Sequence, residues 1–535
     1  MVQAASGLAA RGHDVHMVAR PGTKVLARAA EAGLRARAVP VDRALDPRTL
    51  VAMHRLVAEW RPHAVFVQLD RELVAVTLGA WHTRRPLVFQ RRTPMHAHHT
   101  TLRRSFLSRR VTRTITNTEY ARDWLCAHAG LHAADVLVIR DGVPVDAGPA
   151  PADRAVLRRQ LKLPHKPPLV LHVGMLEPGK GQETTLRALA RLRTTRTAAV
   201  PTLAFIGTGT AEARLHDLCH QLGLREHVAW VGFRTNVTSY LAAADLLVLP
   251  THTEGLAWTL LEAMAQRLPI VTSGVEGHTE LLRDGHNAVL VPPDDPDALA
   301  RAVATVLDDA GLAMRLAARA WETVCDDWNL DAMLDDLECL VYAHLLRRHA
   351  ATPRAALFVD RDDTLIRDVP DHGDPQRVEL LPGAARALRW VREAGLRIVV
   401  VSNQSGVALG RITEDAVRAV NARVDALLRA AGAGVDGAYW CPHHPERSGP
   451  CDCRKPAPGL LQRAARELGI DLAASLTVGN AARDLEAGRR AGTAAAGFAG
   501  AGVSTDLPAS ATTYRSWTRL VRDFLQRVAA SAVTR

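Results

Sequence analysis

Short apolar runs alternate with Ala- and Leu-rich helical stretches along the whole 535-residue sequence. Several of these runs end directly at a polar residue or a turn, as ALFV does at Asp360 and DLLVLP does ahead of Glu254. Strands that alternate with helices form βαβ units, which build parallel sheets. The pattern therefore predicts an α/β fold, and the length allows three or four domains.

Chemically useful side chains follow three apolar runs in the last third of the sequence. The runs ALFV, RIVVV and SLTVG lead into Asp360, Asp362, Ser402, Asn403, Gln404, Asn480 and Asp484. Because α/β sheets bind ligands at the carboxyl ends of their strands, we expect these residues to share one site. One of the two leading aspartates can attack phosphorus while the other transfers a proton, and both can help to hold Mg²⁺.

A cysteine- and histidine-rich loop, CPHHPERSGPCDCRKP, begins at Cys441. Three of the seven cysteines of the chain lie in it. Cys441, His443, Cys451 and Cys453 offer three thiolates and one imidazole, a set that suits tetrahedral Zn²⁺. In a reducing compartment this clustering favours a metal site over a disulfide. The sequence leaves open whether His444 replaces His443 as the fourth ligand.

The segments DRDDTL, SNQSGVALG, CPHHP and CDCRKPAPG occur in this order between about residues 355 and 510. Together they resemble the haloacid dehalogenase phosphatases and, within them, the D-glycero-D-manno-heptose 1,7-bisphosphate 7-phosphatase family. The histidinol-phosphate phosphatases are the neighbouring alternative. The resemblance implies that the substrate is a sugar bisphosphate and that the reaction passes through an aspartyl phosphate.

The resemblance also assigns roles to single residues. Asp360 would be the nucleophile, and Asp362 the general acid and later the general base. Ser402 and Lys455 would bind the transferring phosphoryl group, and Arg454 a phosphate of the substrate. The remaining expected contacts are Asn403 and Gln404 to the substrate, Asp360, Asp362, Asn480 and Asp484 to Mg²⁺, and Cys441, His443, Cys451 and Cys453 to a structural Zn²⁺.

Two positions depart from the family pattern. Asn480 stands where the family usually has an aspartate, so one expected carboxylate ligand is a neutral amide, which weakens Mg²⁺ binding. Asp363 stands where the family has glycine and adds a negative charge. The sequence is therefore compatible with an active phosphatase and with an inactive, phosphatase-like domain that zinc stabilises.

The first 345 residues contain a different set of motifs. Glu254 and Glu262 are separated by seven residues in a segment that reads as strand, turn and helix. Upstream, LVLHVGMLEPGKGQETTL and AFIGTGT run from a strand into glycines, and VTSGVEGHTELL does so downstream. Small residues and helix N-termini suit phosphate binding. In this order the motifs resemble family-4 glycosyltransferases with the GT-B fold.

That resemblance implies that Lys180 contacts the diphosphate of a nucleotide-sugar donor, that Glu262 contacts its ribose and that Glu254 lies near its sugar. Met175 stands where the family commonly has an arginine. The first strand and glycine-rich loop of the family do not precede the opening segment MVQAASGLAARGHDV. We expect the true start to lie upstream; the alternative is that this half lacks part of its acceptor cleft.

We expect a GT-B N-terminal domain over 1–155, a nucleotide-sugar domain over 156–345, a linker over 346–355 and a phosphatase-like domain over 356–535. The basic segment 90–110 matches the position of an acceptor loop, with Arg92 and His96 as candidates for an anionic acceptor, the alternative being a solvated surface.

The net charge of +11 comes largely from scattered arginines, which favours phosphorylated ligands over nucleic acid. The absence of a leader or a long apolar span predicts a cytoplasmic protein, with a peripheral membrane contact left open. We therefore expect a bifunctional glycosyltransferase and phosphatase whose acceptor is unknown. The alternatives are a glycosyltransferase with an inactive phosphatase-like scaffold, and a histidinol-phosphate phosphatase.

Overall fold

The computed structural model describes residues 1–41, 45–80, 86–91, 111–145, 151–160, 162–163, 166–348, 354–369, 371–500 and 502–533. The chain divides into two compact units, residues 1–334 and 335–535. Within the described ranges, no helix combines the length and the apolar character needed to cross a lipid bilayer.

The first part of the first unit contains a parallel strand pair, β1-β2, and a four-stranded parallel sheet in the order β3-β4-β5-β6. Its strands are β1 His16–Ala19, β2 Arg35–Ala38, β3 Ala64–Val67, β4 Leu87–Arg91, β5 Arg113–Thr116 and β6 Val136–Val138. Its helices are α1 Val2–Ala10, α2 Lys24–Glu31, α3 Pro47–Trp60, α4 Asp70–Gly79, α5 Glu119–Ala129 and α6 Pro151–Gln160. A short 3₁₀ helix, Ala133–Asp135, precedes β6.

Local sequence sets the ends of these helices. α3 begins at Pro47 after Asp46, whose side chain accepts the backbone N–H of Arg48 at 2.9 Å. α5 begins after Thr118, whose hydroxyl accepts the N–H of Ala121 at 3.1 Å. Such N-cap bonds satisfy backbone donors that the first turn of a helix leaves unpaired.

The second part of the first unit is built on a six-stranded parallel sheet in the order β12-β11-β10-β7-β8-β9. Its strands are β7 Leu169–Val173, β8 Thr202–Ile206, β9 Val228–Gly232, β10 Leu246–Leu249, β11 Ile270–Ser273 and β12 Val289–Val291. Its helices are α7 Gln182–Thr195, α8 Glu212–Gln221, α9 Val237–Ala243, α10 Trp258–Ala265, α11 Glu276–Thr279, α12 Pro296–Asp308 and α13 Ala310–Asp327, with a 3₁₀ turn at Arg225–His227. All residues of β7 and β8 are buried, as expected for strands covered on both faces.

The helix α14, Leu330–Arg348, begins in the first unit and continues into the second. In the second unit its Asp336 is fully buried, accepts the Nε–H of Arg386 at 2.8 Å, and accepts the indole N–H of Trp390 at 2.7 Å. Residues 349–353 of the expected linker lie outside the described residues. The domain boundaries given above stay predictions.

The second unit contains a six-stranded parallel sheet in the order β15-β14-β13-β16-β17-β18. Its strands are β13 Ala356–Val359, β14 Arg397–Asn403, β15 Gly437–Cys441, β16 Leu476–Gly479, β17 Ala494–Phe498 and β18 Thr513–Tyr514. Its helices are α15 Ala384–Glu393, α16 Glu414–Ala430, α17 Pro445–Ser448, α18 Gly459–Leu468, α19 Ala482–Ala491 and α20 Trp517–Val533, with a 3₁₀ turn at Pro375–Arg377.

Both six-stranded sheets reverse their strand order beside a central strand. β7 lies between β10 and β8, and β13 lies between β14 and β16. Ligands of open α/β sheets bind at such reversals, outside the carboxyl ends of the strands. The predicted α/β class with parallel sheets is confirmed, and each sheet offers one edge for a site.

Candidate functional sites

The carboxylate of Asp360 lies at the carboxyl end of β13 beside a buried ammonium group. Lys455 Nζ lies 2.5 Å from Asp360 Oδ1 and 2.6 Å from Asp484 Oδ1. It also donates a hydrogen bond to the carbonyl of Val401 at 2.8 Å. The side chain of Lys455 is only 3% exposed, so its charge depends on these partners. The structure thus places two predicted carboxylates around one predicted cation.

The environment of this cluster shifts the pKa values of its members. Burial raises the pKa of Asp360 to about 7, although the ammonium of Lys455 acts to lower it. Burial acts to lower the pKa of Lys455, yet the two neighbouring carboxylates together raise it above its ordinary value. The lysine therefore stays charged, and an additional cation at Asp360 would favour the ionised carboxylate.

The carboxylate of Asp362 is held on both of its oxygens. Arg361 donates from Nε to Oδ1 at 2.9 Å and from Nη2 to Oδ2 at 3.1 Å. Gln404 Nε2 donates to Oδ2 at 2.7 Å and also lies 3.3 Å from the hydroxyl of Ser402. The side chain of Asp362 keeps 24% of its surface exposed.

Arg361 and Asn421 were missed by the sequence analysis. Arg361 has no exposed surface, and its Nη1 donates to Asn421 Oδ1 at 3.2 Å in addition to the two bonds to Asp362. The sequence could have indicated the role of Arg361. An arginine that directly follows an apolar strand is a candidate for burial, and a buried arginine needs a carboxylate partner. Asn421 lies inside the polar-apolar pattern of α16, where nothing distinguishes it.

Two residues predicted to bind substrate also contact the backbone of the loop after β15. The Nδ2 of Asn403 donates to the carbonyl of Lys455 at 3.1 Å, and its Oδ1 accepts the N–H of Lys455 at 3.0 Å. Arg454 Nη1 donates to the carbonyl of His443 at 3.0 Å. These bonds fix the backbone from which Lys455 extends.

Oxygen ligands for a hard cation lie at the end of β16. The Oδ1 of Asn480 is buried and has no hydrogen-bond partner among the described residues, while its Nδ2 donates to the carbonyl of Ser504 at 2.9 Å. Asp484 caps α19 by accepting the N–H of Ala481 at 3.1 Å. The orphaned amide oxygen of Asn480 follows β16, which pairs with β13, the strand that leads into Asp360. An oxygen of this kind fits Mg²⁺, which prefers oxygen ligands.

Asp363 has a left-handed backbone with a φ of 52°. This conformation is usual for glycine, and Asp and Asn adopt it more readily than other side chains. Its Oδ1 accepts the N–H of Asp368 at 3.0 Å. The added carboxylate is therefore engaged by its own loop.

The predicted metal loop brings its four ligand residues together. The ligand atoms of Cys441, His443, Cys451 and Cys453 all lie within 4.8 Å of one another. The Nδ1 of His443 lies 3.2 Å from Cys453 Sγ, and Cys441 Sγ lies 3.7 Å from Cys451 Sγ. His444 is not part of this group, so the fold selects His443 as the fourth candidate ligand. These three cysteines and one histidine could therefore hold a metal ion.

In the first unit, the loops after β7 and β10 meet at Lys180 and Glu254. The ammonium of Lys180 forms an ion pair with Glu254 Oε2. Gly181 follows with a φ of 78°, and a Cβ at this position would lie 2.0 Å from the carbonyl oxygen of Pro250. Only glycine permits this approach of the two loops. The structure thus pairs two of the predicted donor-site residues.

Glu262 lies in α10, and burial raises its pKa. Within the described part of the chain, its carboxylate has no hydrogen bond or ion pair, so it is left available for a ligand. Met175, at the position of the missing arginine, is 59% exposed. Arg92 and His96, the expected acceptor residues, lie outside the described residues.

A buried carboxylate that the sequence analysis missed connects to the start of α10. Asp141 accepts hydrogen bonds from Arg91 Nη2 at 2.6 Å, Asn117 Nδ2 at 2.9 Å and the indole N–H of Trp258 at 3.2 Å. These donors come from sequence positions far from one another, so no local pattern reveals the cluster. Since α10 carries Glu262, Asp141 helps to position the helix of a predicted donor-site residue.

Three family models match the chain. Residues 1–147 match Glycosyltransferase Family 4, and residues 153–323 match Glycosyl transferases group 1. Residues 271–492 match the haloacid dehalogenase-like hydrolases. The matches confirm both family resemblances drawn from the motifs.

Curated relatives match about a quarter of the chain. The D-glycero-beta-D-manno-heptose-1,7-bisphosphate 7-phosphatase of Yersinia pestis is 41% identical over 140 residues, which are 25% of this chain and 73% of that protein. The protein of the same name from Pasteurella multocida is 39% identical over 142 residues, 26% of this chain and 77% of that protein. The one from Escherichia coli is 40% identical over 140 residues, 25% of this chain and 72% of that protein.

Solved structures share the fold of the part of the chain that matches the two glycosyltransferase families. A glycosyltransferase from Rickettsia africae has a TM-score of 0.56 at 14% identity, covering 64% of this chain and 92% of that one. HepE from Anabaena, crystallised with UDP and glucose, has a TM-score of 0.55 at 19% identity, covering 63% of this chain and 93% of that one. At these identities the likeness shows the GT-B fold alone. The chain therefore combines a glycosyltransferase of group 1 and family 4 with a C-terminal phosphatase domain, and through that domain it belongs to the haloacid dehalogenase-like hydrolases.

Proposed function

We propose that the second unit hydrolyses a sugar bisphosphate through an aspartyl phosphate, converting heptose 1,7-bisphosphate to heptose 1-phosphate. The observation that carries this proposal is the placement of Lys455 between Asp360 and Asp484, with Asp362 held by Arg361 and Gln404. The similarity to heptose-1,7-bisphosphate 7-phosphatases supports the choice of substrate.

In this reaction Asp360 is the nucleophile. Its Oδ1 faces Lys455, which leaves Oδ2, near the hydroxyl of Thr364 at 3.4 Å, to attack phosphorus. The bond from phosphorus to the ester oxygen breaks as Asp362 gives its proton to that oxygen. Water then attacks the aspartyl phosphate, Asp362 takes the proton of the water, and phosphate leaves with the regeneration of the Asp360 carboxylate.

The fixed donors around the site would stabilise the transferring phosphoryl group. Lys455 is charged and anchored by its backbone to Asn403, so it needs little rearrangement during the reaction. Ser402 is buried beside Gln404 at the end of β14 and offers a hydroxyl. Arg454 extends from the neighbouring loop position, where its guanidinium can bind the second phosphate of the substrate.

Mg²⁺ would be held by Asp360, Asp362, Asn480 and Asp484, and when bound it neutralises charge on the phosphoryl group. Asn480 supplies the orphaned oxygen noted above, so the amide can contribute a ligand, with a weaker attraction than a carboxylate. On this basis we favour a working phosphatase over a degenerate scaffold.

The Cys₃His site would hold a structural Zn²⁺. A Zn–S distance of about 2.3 Å places tetrahedral sulfurs about 3.8 Å apart, and the sulfurs here lie between 3.2 and 3.7 Å apart. Four protein ligands leave no open position for catalysis. Removal of the metal with a chelator should raise amide hydrogen exchange in β15 and in the loop at 451–459, and unchanged exchange there would count against a structural metal.

The first unit would transfer a glycosyl group from a nucleotide-sugar donor. Lys180 would bind the diphosphate, Glu262 the ribose and Glu254 the sugar, in agreement with their position at the carboxyl edge of the sheet. A sugar 1-phosphate made by the second unit is the kind of compound from which a nucleotide-sugar is built. The two activities of this chain would then serve successive stages of one route.

The test is phosphate release by the purified chain with Mg²⁺, comparing heptose 1,7-bisphosphate with histidinol phosphate. Asp360→Asn removes the nucleophile, and Asp415→Asn makes the same change at a side chain that is 90% exposed. We expect release from the bisphosphate that persists in Asp415→Asn and is lost in Asp360→Asn. No release from either substrate by a folded, zinc-loaded chain would refute the phosphatase proposal.

A further inference from the structure

His278 is a buried side chain beside the turn that carries Glu254. It has no exposed surface and lies in α11, shortly after β11 ends. Gly277 before it packs so closely on this turn that a Cβ there would lie 2.2 Å from the carbonyl oxygen of Glu254 and 1.6 Å from that of Gly255. The histidine is thereby held at the edge of the sheet where the donor site is proposed.

Hydrogen bonds join the three loops at this edge. Thr251, after β10, donates to the carbonyl of Gly179 in the loop after β7 at 3.0 Å. Ser273, at the end of β11, donates to the carbonyl of Thr251 at 2.5 Å. Thr272 donates to the carbonyl of Leu249 at 2.7 Å. His278 therefore belongs to a rigid frame shared with the loop of Lys180.

The partners of the imidazole determine its tautomer. Nδ1 lies 2.9 Å from Thr272 Oγ1 and 3.3 Å from the carbonyl of Ser273. The hydroxyl of Thr272 has given its single proton to Leu249, and a carbonyl can only accept. Nδ1 must therefore carry the proton, which leaves Nε2 with a bare lone pair.

This lone pair has no partner of its own. Nε2 is buried and has no hydrogen bond among the described residues. Its charged neighbours are Glu254 and Lys180, and burial lowers the pKa of His278 to about 4, so Nε2 stays an acceptor at neutral pH. A buried acceptor without a donor is unfavourable, which points to a ligand that supplies the donor.

We propose that His278 is a specificity-determining residue of the donor site, where Nε2 accepts a hydrogen bond from a hydroxyl group of the transferred sugar. The inference rests on the proposed glycosyl transfer. A diphosphate offers only acceptors and cannot satisfy Nε2, whereas a sugar hydroxyl can donate. A bound diphosphate would also compete with Glu254 for the ammonium of Lys180. Separation of this ion pair would make room beside His278 for the sugar.

The test compares nucleotide sugars with their bare nucleotides. UDP-, ADP- and GDP-glucose and the matching nucleoside diphosphates are titrated calorimetrically into the full chain and into two variants. His278→Leu removes the acceptor, and His278→Gln keeps an acceptor near the position of Nε2. Thermal unfolding of each variant is measured in parallel.

We expect His278→Leu to weaken binding of the preferred nucleotide sugar about ten-fold and to leave binding of its nucleotide within about two-fold. His278→Gln should restore most of the loss. Equal weakening of sugar nucleotide and nucleotide, or no weakening of either, would overturn the role of His278 and leave the glycosyltransferase proposal intact. A wild-type chain that binds none of these nucleotide sugars would overturn the donor assignment and the inference with it.

Discussion

Replacement of Asp336 by alanine should destabilise the phosphatase unit strongly, although the residue lies in helix α14, before the first strand of that unit. Asp336 has no exposed surface, receives the guanidinium of Arg386 at 2.8 Å and receives the indole N–H of Trp390 at 2.7 Å. Removal of one partner from a buried ion pair costs about 3–5 kcal/mol. That cost includes the buried N–H of Trp390, which alone accounts for about 1–3 kcal/mol when left unpaired.

The assay is amide hydrogen exchange of β13 and β14 at increasing urea, because it reports the free energy of opening of this unit separately from the first. Asp415→Ala is the matched control. Its carboxylate is 90% exposed and pairs with Arg418 at 3.0 Å, so its loss should cost less than about 1 kcal/mol. If Asp336→Ala costs less than about 1 kcal/mol, or no more than the control, then the buried contacts of Asp336 do not stabilise the phosphatase unit.

Three further predictions concern the two sites and the six-stranded sheet of the first unit. His172 and His278 are buried with pKa values lowered to about 3 and about 4. As the pH falls, these histidines bind protons in the unfolded chain before they do so in the folded chain. The free energy of unfolding should therefore decrease between pH 6.5 and pH 4, by up to roughly 3 kcal/mol for each histidine. Amide protection of β7 that stays constant between these pH values would contradict the prediction. Lys455→Met should lower phosphatase kcat by about 10²–10³, whereas Arg463→Met, at a guanidinium that is 62% exposed, should leave it unchanged; phosphate release decides between them. Asn480→Asp should tighten Mg²⁺ binding at least about ten-fold, and an unchanged dissociation constant by calorimetry would show that position 480 is not a ligand.

The sequence predicted the fold class and both families because their patterns are local. A strand that ends on Asp360 and a loop with four closely spaced Cys and His ligands can be recognised without knowing what packs around them. The family matches confirm the resemblances, and the parallel sheets confirm the architecture. The roles of individual site residues, the identity of the metals and the domain boundaries stay predictions.

Only the tertiary structure decided how the side chains are paired. His443, and not His444, lies with the three cysteines of the loop. Asn403 hydrogen-bonds to the backbone of Lys455, and the buried Arg361 hydrogen-bonds to Asp362. The structure also left Nε2 of His278 without a donor. Each of these outcomes depends on which segments, often more than fifty residues apart, meet at one edge of a sheet. Periodicity and spacing determine the elements and the ends of strands, but the partner of a buried polar group is set by packing between elements, which the linear order of residues does not specify.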